Sequence, residues 1–128
     1  MTYYFSKFLA ADFEQAVLRA TEALKREGFG VLTDIDVQQT LKKKIDVDFR
    51  PYRILGACNP ALAHEALTLE DKVGTMLPCN VIVQAAPHGQ VEVAAIDPVA
   101  SMMAIGNPAL LEKAKAVRAK LEKVINSL

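Results

Sequence analysis

The sequence has no tryptophan and only two cysteines and two histidines among its 128 residues, and its fifteen basic residues are balanced by fifteen acidic ones. Two cysteines are too few for the disulfide network of a small secreted domain. A formal net charge of zero gives no long-range field to attract nucleic acid or an anionic membrane. No apolar run approaches the ~20 residues that span a bilayer. We therefore expect neither a nucleic-acid partner nor a membrane partner.

The first residues lack the pattern of a secretion signal. Residues 1–7 read MTYYFSK, with no basic segment followed by an apolar segment and a cleavage site. We therefore expect a cytoplasmic protein in which both cysteines are free thiols.

The amount of apolar sequence is that of a globular protein. Apolar residues make up 52% of the chain and charged residues 23%, which excludes intrinsic disorder. A chain of this length is expected to form one domain, spanning residues 1–128, with a single substantial core.

Three helix starts carry the same signal, an Asn or Asp followed by Pro. They are Asn59-Pro60, Asp97-Pro98 and Asn107-Pro108. The Asn or Asp side chain can cap the first free N–H groups of a helix, and proline suits its first position. We expect a further helix after Asp12, with Gln15 completing a capping box and Gly28 ending the helix.

Five segments have the composition of β-strands. The clearest are residues 80–86 and 90–96, which predict a hairpin around the Pro87-His88-Gly89 turn. The other three segments are residues 3–9, 31–35 and 52–56. Strands separated by helices, together with a hairpin, predict an α+β fold in which helices pack on a mostly antiparallel sheet.

The final predicted helix, from Asn107 onward, has an apolar seam. Its members alternate in steps of four and three residues. They are Leu110, Ala114, Val117, Leu121, Val124 and Leu128. Packing of this helix on its own sheet is the preferred interpretation, because the seam is too short for a clear coiled coil. The alternative is a homodimer contact through the same seam.

The most distinctive local feature is a repeated Cys-Asn pair, Cys58-Asn59 and Cys79-Asn80. The first pair follows a predicted strand and the second precedes one, so the two pairs meet at one sheet edge if these strands are antiparallel neighbours. Cys58 also directly precedes a helix N-terminus, which favours a thiolate. With His64, these four residues are the candidate ligand-binding residues.

A structural role for the same residues is a serious alternative. Unpaired cysteines are often buried as small hydrophobic residues, and Asn59 is already explained by helix capping. The spacing of the two cysteines matches no zinc signature, so no metal site is predicted. No catalytic residue is assigned.

Three segments resemble the domain-of-unknown-function 302 family of small bacterial and archaeal proteins. They are residues 52–60 (YRILGACNP), 74–81 (GTMLPCNV) and 96–98 (IDP). The resemblance covers nearly the whole chain. It implies an α+β domain, often a homodimer, and it implies no agreed activity.

Two hypotheses about function follow. The first is a domain that binds a small molecule, a metal or a redox cofactor at the paired Cys-Asn segments. The second is a non-catalytic homodimeric interaction domain in which those segments are structural. An enzyme that acts through a bound cofactor is a third alternative, since such enzymes need few catalytic side chains of their own.

Overall fold

The computed structural model describes residues 2–128 and contains five strands and five α-helices. The strands are β1 (Tyr4–Leu9), β2 (Gly30–Asp36), β3 (Tyr52–Cys58), β4 (Cys79–Ala85) and β5 (Val91–Ile96). The helices are α1 (Phe13–Arg26), α2 (Val37–Ile45), α3 (Pro60–Leu69), α4 (Pro98–Met102) and α5 (Pro108–Asn126). Short 3₁₀ turns occupy Asp71–Met76, Pro87–Gly89 and Met103–Ile105. All five predicted strands are present, and β3 runs two residues further than predicted, to Cys58.

The strands form one antiparallel sheet in the order β1-β5-β4-β3-β2. The predicted α+β class is therefore confirmed, as is the hairpin of β4 and β5. No helix within residues 2–128 is both long enough and apolar enough to cross a membrane.

One face of the sheet forms the core, which we call the inner face. Val81, Val83 and Val93 point into it and are fully buried against α1 and α5. The final helix packs on its own sheet as preferred, through Leu121 and Val124. These two seam residues, and Leu110 and Ala114 nearer the start of the helix, are at most 2% exposed. These side chains are therefore not available for a dimer contact.

The three predicted Asn-Pro and Asp-Pro helix starts are confirmed. Asn59 Oδ1 accepts a hydrogen bond from the N–H of Leu62 at 3.3 Å. The side chains of Asp97 and Asn107 likewise accept hydrogen bonds from backbone N–H groups in the first turns of α4 and α5. The predicted capping box at Asp12 is wrong: this residue precedes α1, but its side chain makes no capping bond. Asp12 is exposed to solvent, where water can satisfy the first N–H groups of the helix.

Gly56 in β3 is required by a close approach. A Cβ atom at this position would lie 2.1 Å from Oγ1 of Thr33 and 2.7 Å from Cγ of Pro78. Both distances are far below van der Waals contact, so only glycine fits between the β2 strand and the segment that leads into β4. Gly30, in the neighbouring strand, has nothing within 4 Å of such a Cβ.

We expect Gly56→Ala to destabilise the protein by about 2–3 kcal/mol, because the added methyl forces the backbone or Thr33 and Pro78 to shift. Urea unfolding followed by circular dichroism measures the change. Gly30→Ala is the matched control, a glycine-to-alanine change in a strand with free space, and it should alter the stability by less than about 0.5 kcal/mol. Equal losses for the two variants would contradict the steric argument.

Candidate ligand cavity

The pairing of β3 with β4 brings the two Cys-Asn segments to the same end of the sheet. Ala57 lies directly opposite Cys79, and Cys58 is the next residue along β3. Cys58 is the last residue of its strand and Cys79 the first of its own. The antiparallel arrangement on which their proximity depended is therefore present.

Both cysteines line one cavity of about 300 Å³ between this end of the sheet and helices α3 and α5. The lining is almost entirely apolar. It includes Phe29, Leu62, Ala66, Leu77, Met102 and Leu110. Several of these side chains also belong to a small second hydrophobic cluster between α3, α4 and α5. The cavity is thus an apolar cleft beside this cluster, open to solvent on one side, where the lining residue Leu67 is 44% exposed.

One charged side chain lines the cavity among the described residues, Lys113 of α5. Its Nζ lies 3.3 Å from Oε2 of Glu65 on α3, and both side chains are almost half exposed. The ion pair therefore bridges the two helices at the solvent side of the cavity. Because it is exposed, it contributes little to stability and can exchange partners.

Cys79 is buried and Cys58 is half-buried, and neither is in a disulfide. Burial raises the pKa of Cys79 to about 11, and the neighbouring Cys58 adds to the shift. Cys79 is consequently a neutral thiol at physiological pH. A neutral thiol is an apolar lining group and a poor nucleophile.

Asn59 also lines the cavity, but its side chain is engaged in the fold. Its Oδ1 caps α3, and its Nδ2 lies 3.0 Å from where a Cβ of Gly28 would be. Gly28 has a φ of +84° and ends α1, as predicted. Asn59 therefore caps α3 and lies against the α1–β2 turn.

The two other candidate residues lie away from the cavity. Asn80 follows Cys79 in β4 and points to the opposite side of the sheet, where it is exposed. His64 is exposed on α3. Leu62 and Ala66, four residues apart, put one helix face on the cavity, and His64 lies between them in sequence and on the other side of the helix.

Sequence reasoning missed the contribution of the last third of the chain, namely Met102, Leu110 and Lys113. The apolar seam of α5 was recognised from the sequence, but its two halves pack against different parts of the protein. Leu121 and Val124 pack on the sheet, whereas Leu110 and Ala114 face α3 and the cavity. Nothing in the heptad-like spacing distinguishes the two halves.

No group of three or more His, Cys, Asp or Glu side chains within residues 2–128 is arranged to hold a metal ion. The paired cysteines thus have no third ligand of these types beside them in the described part of the chain.

A family model described as domain of unknown function DUF302 matches residues 5–128. The chain belongs to this DUF302 family. The structure of an uncharacterized conserved DUF302 protein from Bacillus stearothermophilus is similar over 98% of both chains, with a TM-score of 0.91 and 29% sequence identity. No curated protein matches the chain. The resemblance inferred from the Cys-Asn segments is confirmed, and the DUF302 family itself carries no assigned activity.

The raised pKa of Cys79 predicts a pH-dependent loss of stability in this DUF302 domain. Between its ordinary value of 9.0 and about 11, the thiol ionises in the unfolded chain but stays protonated in the folded one. The unfolded state therefore binds fewer protons, and stability falls as pH rises through this range. Two pKa units correspond to about 3 kcal/mol.

Urea unfolding of the wild type and of Cys79→Ala at pH 8, 9.5 and 11 measures this effect. We expect the wild type to lose about 2–3 kcal/mol more than the variant over the range, since the variant cancels the titration of all other groups. Parallel curves for the two proteins would show that Cys79 is not protonated preferentially in the folded state.

Proposed function

We propose that this DUF302 domain binds a small amphiphilic molecule, with an apolar body in the cavity and an anionic head at Lys113. The observation that carries the proposal is the apolar cavity of about 300 Å³ that Cys58 and Cys79 both line. Its size falls at the lower end of the ~300–1,000 Å³ of small-molecule sites. An almost wholly apolar lining with one cation at its solvent side suits a hydrocarbon chain ending in a carboxylate.

Burial of the apolar body supplies the larger share of the binding energy. At about 0.8 kcal/mol per methylene, a chain of roughly eight methylenes gains about 6 kcal/mol on leaving water. Association itself costs at least ~4 kcal/mol. The net binding free energy from the apolar body is therefore small. The affinity then depends on the contact between the anionic head group and Lys113.

The two cysteines contribute shape and low polarity to this site. Cys79 is neutral at physiological pH because burial raises its pKa, and Cys58 is half-buried at the end of β3. In the proposed function both cysteines line the cavity, and neither takes part in redox chemistry or metal binding. Two free thiols persist in a reducing compartment, which supports a cytoplasmic location as part of the proposal.

Residues 1–128 act as one functional domain in the proposal. Helix α5 supports this, because it packs on the sheet with its C-terminal half and lines the cavity with its N-terminal half. A ligand in the cavity would therefore touch the same helix that completes the main core.

A tryptophan reporter tests for the ligand, because the natural sequence contains no tryptophan. Leu67 lines the cavity and is 44% exposed, so Leu67→Trp places an indole at the site with little loss of packing. We expect decanoate to change its fluorescence saturably in the millimolar range. Leu18→Trp, on the outer side of α1 and 57% exposed, is the matched control and should not respond.

Filling the cavity shows whether that response comes from inside it. Ala63 lines the cavity and is half-buried, and Ala63→Phe in the Leu67→Trp background should weaken decanoate binding at least tenfold. An identical titration curve in the filled variant, or an equal response of Leu18→Trp, would mean that decanoate binds elsewhere and the proposal fails.

The ion pair between Lys113 and Glu65 predicts a head-group effect. Glu65→Gln removes the competitor for Lys113 and should strengthen decanoate binding about three- to tenfold in the Leu67→Trp background. Decanol, which has the same chain and no charge, should bind equally well to both forms. Lys113→Met should weaken decanoate and leave decanol unchanged. If decanoate and decanol respond alike, Lys113 does not bind the head group.

A homodimeric interaction domain is the second candidate function, and one observation favours it. The sheet face opposite α1 and α5 carries apolar side chains that stay exposed or half-buried, including Tyr4, Phe8 and Ile82. This role does not depend on the cavity, which lies at one end of the sheet and against the helices.

A further inference from the structure

The sheet has a second face, here called the outer face, that is mostly apolar and that neither α1 nor α5 covers. Its middle row runs across the strands from Ser6 through Ala94, Ile82 and Ile54 to Ile35. None of these five side chains is buried, and Ile35 is 47% exposed. A contiguous apolar surface of this kind on a small domain marks an interaction site.

The charges at the outer face are few and arranged in one line. Glu92 of β5 accepts a hydrogen bond from Nε2 of Gln84 in β4, at 2.8 Å. Oε1 of Gln84 accepts in turn from Nε of Arg50, at 3.0 Å. Arg50 also lies over the ring of Phe49, 4.4 Å from its centre. An acid and a base thus lie on opposite sides of the central strand, joined by one amide.

The row formed by Glu92, Gln84 and Arg50 can pair with the same row of a second copy, because its acidic end can meet the other copy's basic end. β3 and β5 lie on the two sides of β4, each about 4.8 Å away. A two-fold axis running along β4, between two sheets packed face to face, places β5 of one copy over β3 of the other. Glu92 of each copy then meets Arg50 of the other, and Ile82 meets Ile82 of the other copy on the axis.

The size of the outer face matches the requirement. Five strands span about 24 Å across and about 20 Å along their length, a flat area of about 500 Å². Side chains that project from the sheet raise the accessible area toward the ~800 Å² per partner of a standard interface. Aligned packing of two sheets about 10 Å apart is also a common arrangement in β-sandwiches.

We propose that two copies of this chain associate through their outer faces, about a two-fold axis along β4 that pairs Arg50 of each with Glu92 of the other. The proposal rests on the homodimer role given above as the second candidate function, and it names the surface through which that dimer forms. It is independent of ligand binding in the cavity.

Light scattering during size-exclusion chromatography tests the association. The wild type at 50–100 µM should have twice the mass of the chain. Ile82→Glu puts two like charges together on the axis and should raise the dimer dissociation constant at least about 100-fold, so that a monomer elutes. Leu18→Glu is the control, an aliphatic-to-glutamate change on the solvent side of α1 at a side chain that is 57% exposed, and it should leave the dimer intact.

Charge reversal tests the axis. Glu92→Arg alone and Arg50→Glu alone each set like charges against each other and should weaken the dimer about tenfold or more. The double variant restores opposite charges and should recover most of the wild-type affinity. Since Arg50 is exposed and Glu92 is half-buried in the single chain, circular dichroism should show all three variants folded.

Crosslinking tests the proposed contact without weakening the dimer. In a Cys58→Ala background, a short bis-maleimide reagent should join two Ile82→Cys chains into a covalent dimer, whereas Leu18→Cys should stay monomeric under denaturing conditions. A reagent with a spacer is used because sheets packed about 10 Å apart hold the two Cα atoms too far apart for a direct disulfide.

The outcomes separate the levels of the proposal. A monomeric wild type at 100 µM overturns the homodimer role itself. A wild-type dimer that survives Ile82→Glu and does not crosslink at position 82 overturns the outer face as its surface. Failure of the double charge reversal to recover affinity lost in the single variants overturns the stated axis.

Discussion

The register of β3 against β4 is the constraint on which the rest of the structure depends. It sets Ala57 opposite Cys79 and so places both Cys-Asn segments at one end of the sheet. The same register requires a glycine at position 56, where Thr33 and Pro78 leave no room for a Cβ. A shift of one residue would turn every side chain of β4 to the other face, and would remove Cys79 from the cavity and Val81 from the core.

Alternation along β4 divides its residues between two environments. Cys79, Val81 and Val83 face the helices and are buried, whereas Asn80, Ile82 and Gln84 face the opposite side. One strand therefore supplies the lining of the cavity and the centre of the outer face. Two adjacent residues of a Cys-Asn pair cannot serve the same site while they remain in a regular strand, since successive side chains point to opposite faces.

Much of the fold was predictable because its signals are local. The Asn-Pro and Asp-Pro starts act within one helical turn, and Asn59, Asp97 and Asn107 all cap as predicted. The proximity of Cys58 and Cys79 could be stated only as a consequence of strand pairing, which is not local. The capping box at Asp12 failed because a solvent-exposed helix start has water as an alternative partner.

The candidate site was only partly predictable, for reasons of side-chain direction and distance along the chain. Asn80 follows a cysteine, as Asn59 does, but it belongs to a strand. Successive side chains of a strand point to opposite faces, so Asn80 points away from the cavity that Cys79 lines. His64 is near Asn59 in sequence but lies on the wrong side of α3. Lys113 and Met102 reach the cavity from more than thirty positions further along than His64, and no pattern in the sequence joins them to the cysteines.

The two proposed roles share β4 but need not influence each other. A ligand in the cavity would contact Cys79 at the end of the strand, whereas the proposed dimer axis passes over Ile82. For one event to alter the other, β4 would need a second stable register or a second arrangement of the packed core. The close fit around Gly56 opposes the first, and the full burial of Val81 and Val83 opposes the second. A rigid central strand therefore predicts that the two proposed roles, ligand binding in the cavity and self-association through the outer face, are uncoupled.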